Sequence, residues 1–218
     1  MTDLEPHFSV GEEVAHAVTH GFGLVCAIAW TLTLAEQAHL HGDGIDLFAA
    51  LTFGGSMTFL YAASTIAHAL PPGWQTKRMF ELLDYVGIYA LIAGTYTPFM
   101  LGPLRGPFGW TVFGLVWLVA LVGIAIELVS DPRRVRLSLS LYLGMGWIGV
   151  AVGVPLSAHV PQRGLLLLLG GGTAYTVGVF FYAWRAFRYH HAVWHLFVLL
   201  GSALHTLAVI EYAIPYPH

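Results

Sequence analysis

The chain has 218 residues, of which 57% are hydrophobic and 10% charged, with a formal net charge of −3. Water-soluble domains carry about 25% charged residues, so an ordinary soluble fold is excluded. The negative balance argues against a nucleic-acid partner, which needs a basic face. The single cysteine, Cys26, excludes an intrachain disulfide and a cysteine-rich metal site.

The start, Met-Thr-Asp-Leu-Glu-Pro, is acidic where a cleavable signal needs a basic region. The first apolar segment is therefore expected to stay in the membrane. Seven apolar segments have the length of about 20 residues that a hydrocarbon slab of about 30 Å demands. They cover approximately 14–38, 46–70, 80–101, 107–129, 137–157, 164–185 and 190–214. Turn formers separate them, as at Pro71-Pro72-Gly73 and Gly102–Pro107. No linker divides the chain, so one domain over 1–218 is expected. Fold class is predicted as an all-α integral membrane protein, a seven-transmembrane helix bundle in the cell membrane.

Basic residues set the expected orientation. Lys77, Arg78, Arg133, Arg134, Arg136, Arg185 and Arg188 fall in the second, fourth and sixth loops, against Arg105 and Arg163 in the odd ones. Seven against two predicts those even loops and the N-terminus in the cytoplasm, with the C-terminus outside. On that topology His68 closes the second helix near the cytoplasmic face. Asp84 stands about one turn inside the third. His191 and His195 open the seventh, and Glu12, Glu13, His16 and His20 open the first. Polar groups from four helices thus converge on one level, and ionisable groups at membrane depth normally face a bundle interior.

Histidines four apart lie about 40° apart on one helix face, so His191 and His195 can grip one metal ion. With His68 they form a three-imidazole set of the kind that holds a catalytic zinc and leaves a position for water. Asp84 could bond that water and accept its proton. Ser64, four residues before His68, could orient Asp84 or an imidazole. His205 lies ten residues beyond His195, roughly 15 Å deeper, too far to share the ion. It is read as lining a cavity or donating a hydrogen bond. His39, His41, His159, His190 and His218 read as interfacial residues, Glu211 as solvated, and Glu127 as a partner of Arg133 or Arg134.

At these residues the sequence resembles the haemolysin III branch of the progestin and adipoQ receptor superfamily. The matching motifs are Glu12-Glu13-Val14-Ala15-His16-Ala17-Val18-Thr19-His20-Gly21, Ser64-Thr65-Ile66-Ala67-His68, Asp84-Tyr85 through Gly94-Thr95-Tyr96-Thr97-Pro98, and His191-x-x-x-His195. They span essentially the whole chain in order. The sequence departs from the family's pattern at His16, where Asn or Ser is usual. The resemblance implies zinc ligands at His68, His191 and His195, a water-holding aspartate at Asp84 and a supporting serine at Ser64. It also implies hydrolysis of a lipid amide or ester by zinc-bound hydroxide, as in alkaline ceramidase-like hydrolases, with membrane lipids as partners. Two other readings stay open: a non-enzymatic lipid-responsive protein or cytolysin with structural zinc, and a proton or ion pathway through Asp84 and His205. A bis-histidine haem is a further possibility. Substrate, oligomeric state and the roles of His16, His20 and His205 are not specified by the sequence.

Overall fold

The computed structural model describes residues 8–129 and 135–216. Among them no strand occurs, and seven helices follow one another: α1 (Val10–His41), α2 (Gly44–Ala69), α3 (Gln75–Leu101), α4 (Pro107–Val129), α5 (Val135–Leu156), α6 (Gln162–Ala183) and α7 (His190–Tyr212). Each falls on one of the expected segments. The two largest differences are at the starts of α1 and α3, which begin four and five residues early. For α1 the cause is a capping box. The Ser9 hydroxyl accepts from the Glu12 amide at 3.4 Å, while the Ser9 amide donates to the Glu12 carboxylate at 3.0 Å. That reciprocal pair satisfies the orphan amides of a polar first turn, which apolar length alone does not register.

Six of the helices are long and apolar enough to cross a membrane. The seventh, α3, carries Lys77, Arg78, Glu81 and Asp84 in its first turns, which lowers its hydropathy. Its 27 residues still reach about 40 Å at the helical rise. The outer face of α1 exposes Val14, Val18, Phe22, Val25 and Leu32, as a lipid-facing stripe does. The chain is a helical membrane bundle.

Within it α3 touches α2, α4, α5 and α7, and α7 packs on both α6 and α1. Phe53, Met57, Leu60 and Tyr61 of α2 and Leu91 and Met100 of α3 form the centre of the core. The α6–α7 contact is close because Gly164, Gly171 and Gly178 recur every seven residues, keeping one face of α6 bare. Tyr212, His205 and Phe197 of α7 lie over these glycines in turn, and a methyl group on Gly164 would stand 2.7 Å from the Tyr212 ring. The backbone then turns sharply into α7 at Tyr189, whose φ of 64° is left-handed. That residue is tied to α1: its amide donates to the Glu12 carboxylate at 3.3 Å. Arg188 adds a bond to the Ser9 hydroxyl at 3.4 Å.

Several expectations about single residues can now be placed. His190 is buried rather than interfacial, with Nδ1 3.3 Å from the Phe181 carbonyl, because the Tyr189 turn tucks it under α6. Glu211 is paired with Arg163 at 3.1 Å rather than simply solvated. Glu127 accepts from the Ser138 hydroxyl. Arg133, Arg134 and His218 lie outside the described residues.

At the end of the bundle where α1 and α3 finish, Arg105 clamps the start of α2 to the end of α3. Its guanidinium bonds Asp46 at 3.0 Å and Asp43 at 2.5 Å, and Asp46 is only 2% exposed. The Arg105 guanidinium holds the Asp43 carboxyl at about 2, below its ordinary value of 3.8. Arg105→Leu would leave Asp46 buried with one partner fewer, and we expect a loss of about 2–3 kcal/mol in a detergent melt. The lowered Asp43 value adds a pH dependence of definite sign. Its contribution is fully present above pH 3.8 and is lost as pH falls through about 2. The melting temperature of Arg105→Leu should fall less steeply over that acid window than that of the wild type; parallel curves would refute the linkage.

Candidate metal centre

The opposite end, where α1, α3 and α7 begin and α2 finishes, gathers five imidazoles. His16 and His20 come from the second and third turns of α1, His68 from the last turn of α2, and His191 and His195 from the first two turns of α7. Each pair on one helix is four residues apart, so both members share a face. Four of the five are buried to 9% exposure or less, and the His68 side chain is 10% exposed.

One nitrogen of His16, one of His68 and one of His191 all lie within 4.8 Å of one another. The His195 ring stands beside that trio, its centroid 4.6 Å from His191 and 5.3 Å from His68. His20 stacks flat on His195 at 3.4 Å. The sequence-predicted ligands His68, His191 and His195 are thus brought into one cluster, and α1 adds two imidazoles to which the sequence assigned no role.

Neighbouring groups orient two of these rings. The Glu13 carboxylate lies 2.6 Å from His68 Nδ1 and, as a pure acceptor, requires that nitrogen to donate. His68 Nε2 is then left with its lone pair. Glu13 is itself held by Lys77 Nζ at 3.0 Å, and Lys77 also donates to the Ala67 carbonyl at 2.7 Å. His195 Nδ1 lies 3.0 Å from the Thr19 hydroxyl. That hydroxyl donates to the carbonyls of Ala15 and His16, at 2.8 and 2.9 Å, so its oxygen accepts from His195. Again Nε2 carries the lone pair. A carboxylate or hydroxyl fixing one imidazole nitrogen so that the other faces inward is the support that metal ligands typically receive.

Ser64 stands against this cluster, and Asp84 stands against Ser64. The Ser64 hydroxyl is 2.7 Å from His20 Nδ1, and the Asp84 carboxyl lies against the same serine. Ser64 therefore touches both kinds of group it was expected to orient. His205 is separate and deeper. Its Nε2 meets the Leu168 carbonyl at 3.0 Å, the hydrogen-bonding role foreseen for it. Between the two levels Ser202 accepts from the Tyr61 hydroxyl at 2.8 Å and lies 3.0 Å from that of Tyr175.

The residues present fit a metal ion, on an observation of unpaired atoms. Both nitrogens of His16, Nε2 of His20, His191 and His195, and Oδ1 of Asp84 are buried without a hydrogen-bond partner. Each unsatisfied buried group costs about 1–3 kcal/mol, and so many in one place call for a bound species. An all-nitrogen set of neutral imidazoles suits zinc or a neighbouring late transition metal rather than calcium or magnesium, which take oxygen ligands.

Sequence reasoning placed Glu13 and His16 at the level of this site without giving either a role in it, and it passed over Lys77 and Thr19. For His16 a signal existed in its four-residue spacing from His20. The pairing of Glu13 and Lys77 with His68 left none, because it joins three helices.

A seven-helix membrane bundle with a buried nest of histidines at one end, three of them placed so that they could hold a metal ion, is the class that fold and site define. Comparison with known proteins narrows it. A family model described as "Haemolysin-III related" matches residues 8–206. The chain is 41% identical to the Hemolysin-3 homolog of Bacillus subtilis (strain 168), over 96% of this chain and 98% of that protein. It is 29% identical to the Monocyte to macrophage differentiation factor of Homo sapiens, over 94% of this chain and 86% of that one. It is also 31% identical to the Heptahelical transmembrane protein ADIPOR2 of Oryza sativa subsp. japonica, over 77% and 83%. The chain belongs to the haemolysin III family of the progestin and adipoQ receptor superfamily, and is a multi-pass cell-membrane protein.

Proposed function

We propose that this haemolysin III protein is a zinc-dependent hydrolase of lipid amides or esters. The observation that carries the proposal is the set of unpaired Nε2 atoms of His191 and His195, beside His68 and the unpaired Oδ1 of Asp84, all buried at one level. His68, His191 and His195 hold the ion, which when bound supplies a Lewis acid able to lower a water pKa toward about 7. Asp84 accepts the proton of the attacking water at Oδ1 and returns it to the leaving group. Ser64 keeps the carboxyl in place from α2, and Glu13 and Thr19 keep the imidazoles in their productive tautomers.

Depth supports the substrate class. The helices around the site expose apolar faces such as Val14, Val18 and Phe22 of α1, which favours a substrate that arrives from the bilayer. Lys77, Arg78, Arg185 and Arg188 at the site end, against Arg105 and Arg163 at the other, favour a cytoplasmic site and N-terminus.

The name of a Bacillus cereus relative, Hemolysin-3, at 40% identity, favours a second reading: a cytolysin in which the metal is structural. One experiment separates the two. Purified protein, stripped of metal and then reloaded with zinc, is assayed against short-chain ceramides and fluorogenic lipid esters and for leakage of dye-filled vesicles. The hydrolase reading expects turnover that vanishes on stripping and returns with zinc. Leakage without turnover of any of these substrates would overturn it in favour of the cytolysin.

A further inference from the structure

We infer that His16 binds the metal directly, so that the resting site is held by four imidazoles, with His16 the ligand that can leave. This rests on the reading of the cluster as a zinc centre.

The geometry of the rings carries it. For His16, His68, His191 and His195 the six centroid separations are 4.7, 4.6, 5.5, 5.2, 5.3 and 4.6 Å. Four points nearly equidistant from one another cannot lie in a plane or a row; they form a tetrahedron. The six interplanar angles are equally uniform, all between 60° and 67°. Four imidazoles on one zinc, with bonds of about 2.0–2.1 Å, place their ring centres about 5 Å apart. Edge-to-face packing alone also gives such separations; what adds to them here is that donor nitrogens of His16, His68 and His191 lie within 4.8 Å of one another, so His16 is in the set on the donor atoms as well. His20 does not belong to it, since it lies flat on His195 at 3.4 Å instead of crossing it.

The state of His16 points the same way. It is completely buried, yet neither ring nitrogen has a hydrogen-bond partner. Glu13, the nearest carboxylate, is 3.9 Å away, too far to bond, and is engaged by His68 and Lys77. Phe8 packs edge-on against the ring at 4.7 Å and supplies no polar contact. A species bound within the cluster would satisfy such a side chain, and a metal ion among four imidazoles is the one the donor set fits.

His16 also differs from its neighbours in how it is held. His68 is fixed by Glu13 and His195 by Thr19, whereas no hydrogen bond sets the tautomer of His16 or His191. His191 shares α7 with the anchored His195, so that pair grips the ion from one helix, while His16 is the only one of the four on α1 and has neither an outer partner nor a paired ligand. A closed set of four protein ligands is the mark of a structural zinc, and a catalytic zinc keeps a position open. His16 reconciles the two: it closes the resting site and opens it by swinging away.

The test uses the full-length protein in detergent. X-ray absorption of the zinc-loaded wild type should count four imidazoles, and His16→Asn should count three while still retaining the metal. With Co2+ in place of zinc, azide should shift the visible bands of His16→Asn at a lower concentration than those of the wild type, where it must first displace His16. Three imidazoles in the wild type, or an azide response equal in the two proteins, would overturn the inference and leave the hydrolase reading intact. A wild type that takes up no metal would overturn both. The wild-type count needs no variant, so it decides the matter even where His16→Asn folds poorly.

Discussion

If the protein is the proposed hydrolase, replacing Asp84 by Asn is expected to lower kcat by about 10²–10⁴-fold, the usual range for a lost general base, while zinc content stays close to wild type. The substitution keeps the volume and the polar contact with Ser64 and removes only the capacity to take a proton. Asp84 is on α3, which contributes no imidazole to the cluster, so its role as base and the holding of metal are separable. The readouts are turnover of a lipid amide and metal per chain, measured on the same preparation. Turnover within a few-fold of wild type would refute the assignment of Asp84 as base. Parallel loss of metal would move Asp84 from the reaction to the scaffold.

The second large effect is on metal affinity. His68→Ala and His191→Ala each remove a donor from the trio that lies within 4.8 Å. Substitutions of groups that merely support a ligand cost about 10–100-fold in affinity, so loss of the ligand itself should exceed about 100-fold. Glu13→Gln belongs in the same titration. It keeps an acceptor near His68 Nδ1 but removes the charge, and should fall within that 10–100-fold band. Competition against a chelating dye gives all the values on one scale. If His68→Ala bound zinc as tightly as wild type while Glu13→Gln did not, the coordinating group would be the carboxylate and the site would need redrawing. A mutant with unchanged melting temperature when metal-free establishes that affinity, and not folding, has been read.

Much of this was legible from composition and order alone. Lipid can be crossed only by segments of adequate apolar length, so the positions of α2, α4 and α7 followed from the sequence to within two residues at most ends. The convergence of His68, Asp84, His191 and His195 also followed, because alternating helices must bring the end of α2 and the starts of α3 and α7 to one level. The starts of α1 and α3 were less legible. Their first turns are polar and stand on a capping box or a charged face, which hydropathy reads as loop.

Rotation about each helix axis was the harder quantity. In a soluble bundle an apolar stripe shows which face turns inward, but here the lipid-facing side is as apolar as the core. The α1 stripe of Val14, Val18, Phe22 and Val25 looks no less suited to burial than Ala27 and Leu34, yet the first set faces outward. So the sequence could show that His16 and His20 share a side of α1 but not that this side meets α7.

Membrane thickness and helix rise are fixed lengths, so the order of residues was enough for a seven-helix membrane bundle and for the depth of its ionisable groups. Which side chains face one another at that depth came from tertiary packing. It turned α1 so that His16 joins the histidine cluster and Glu13 reaches His68, an outcome of the mutual packing of α1, α2 and α7 that no single helix encodes.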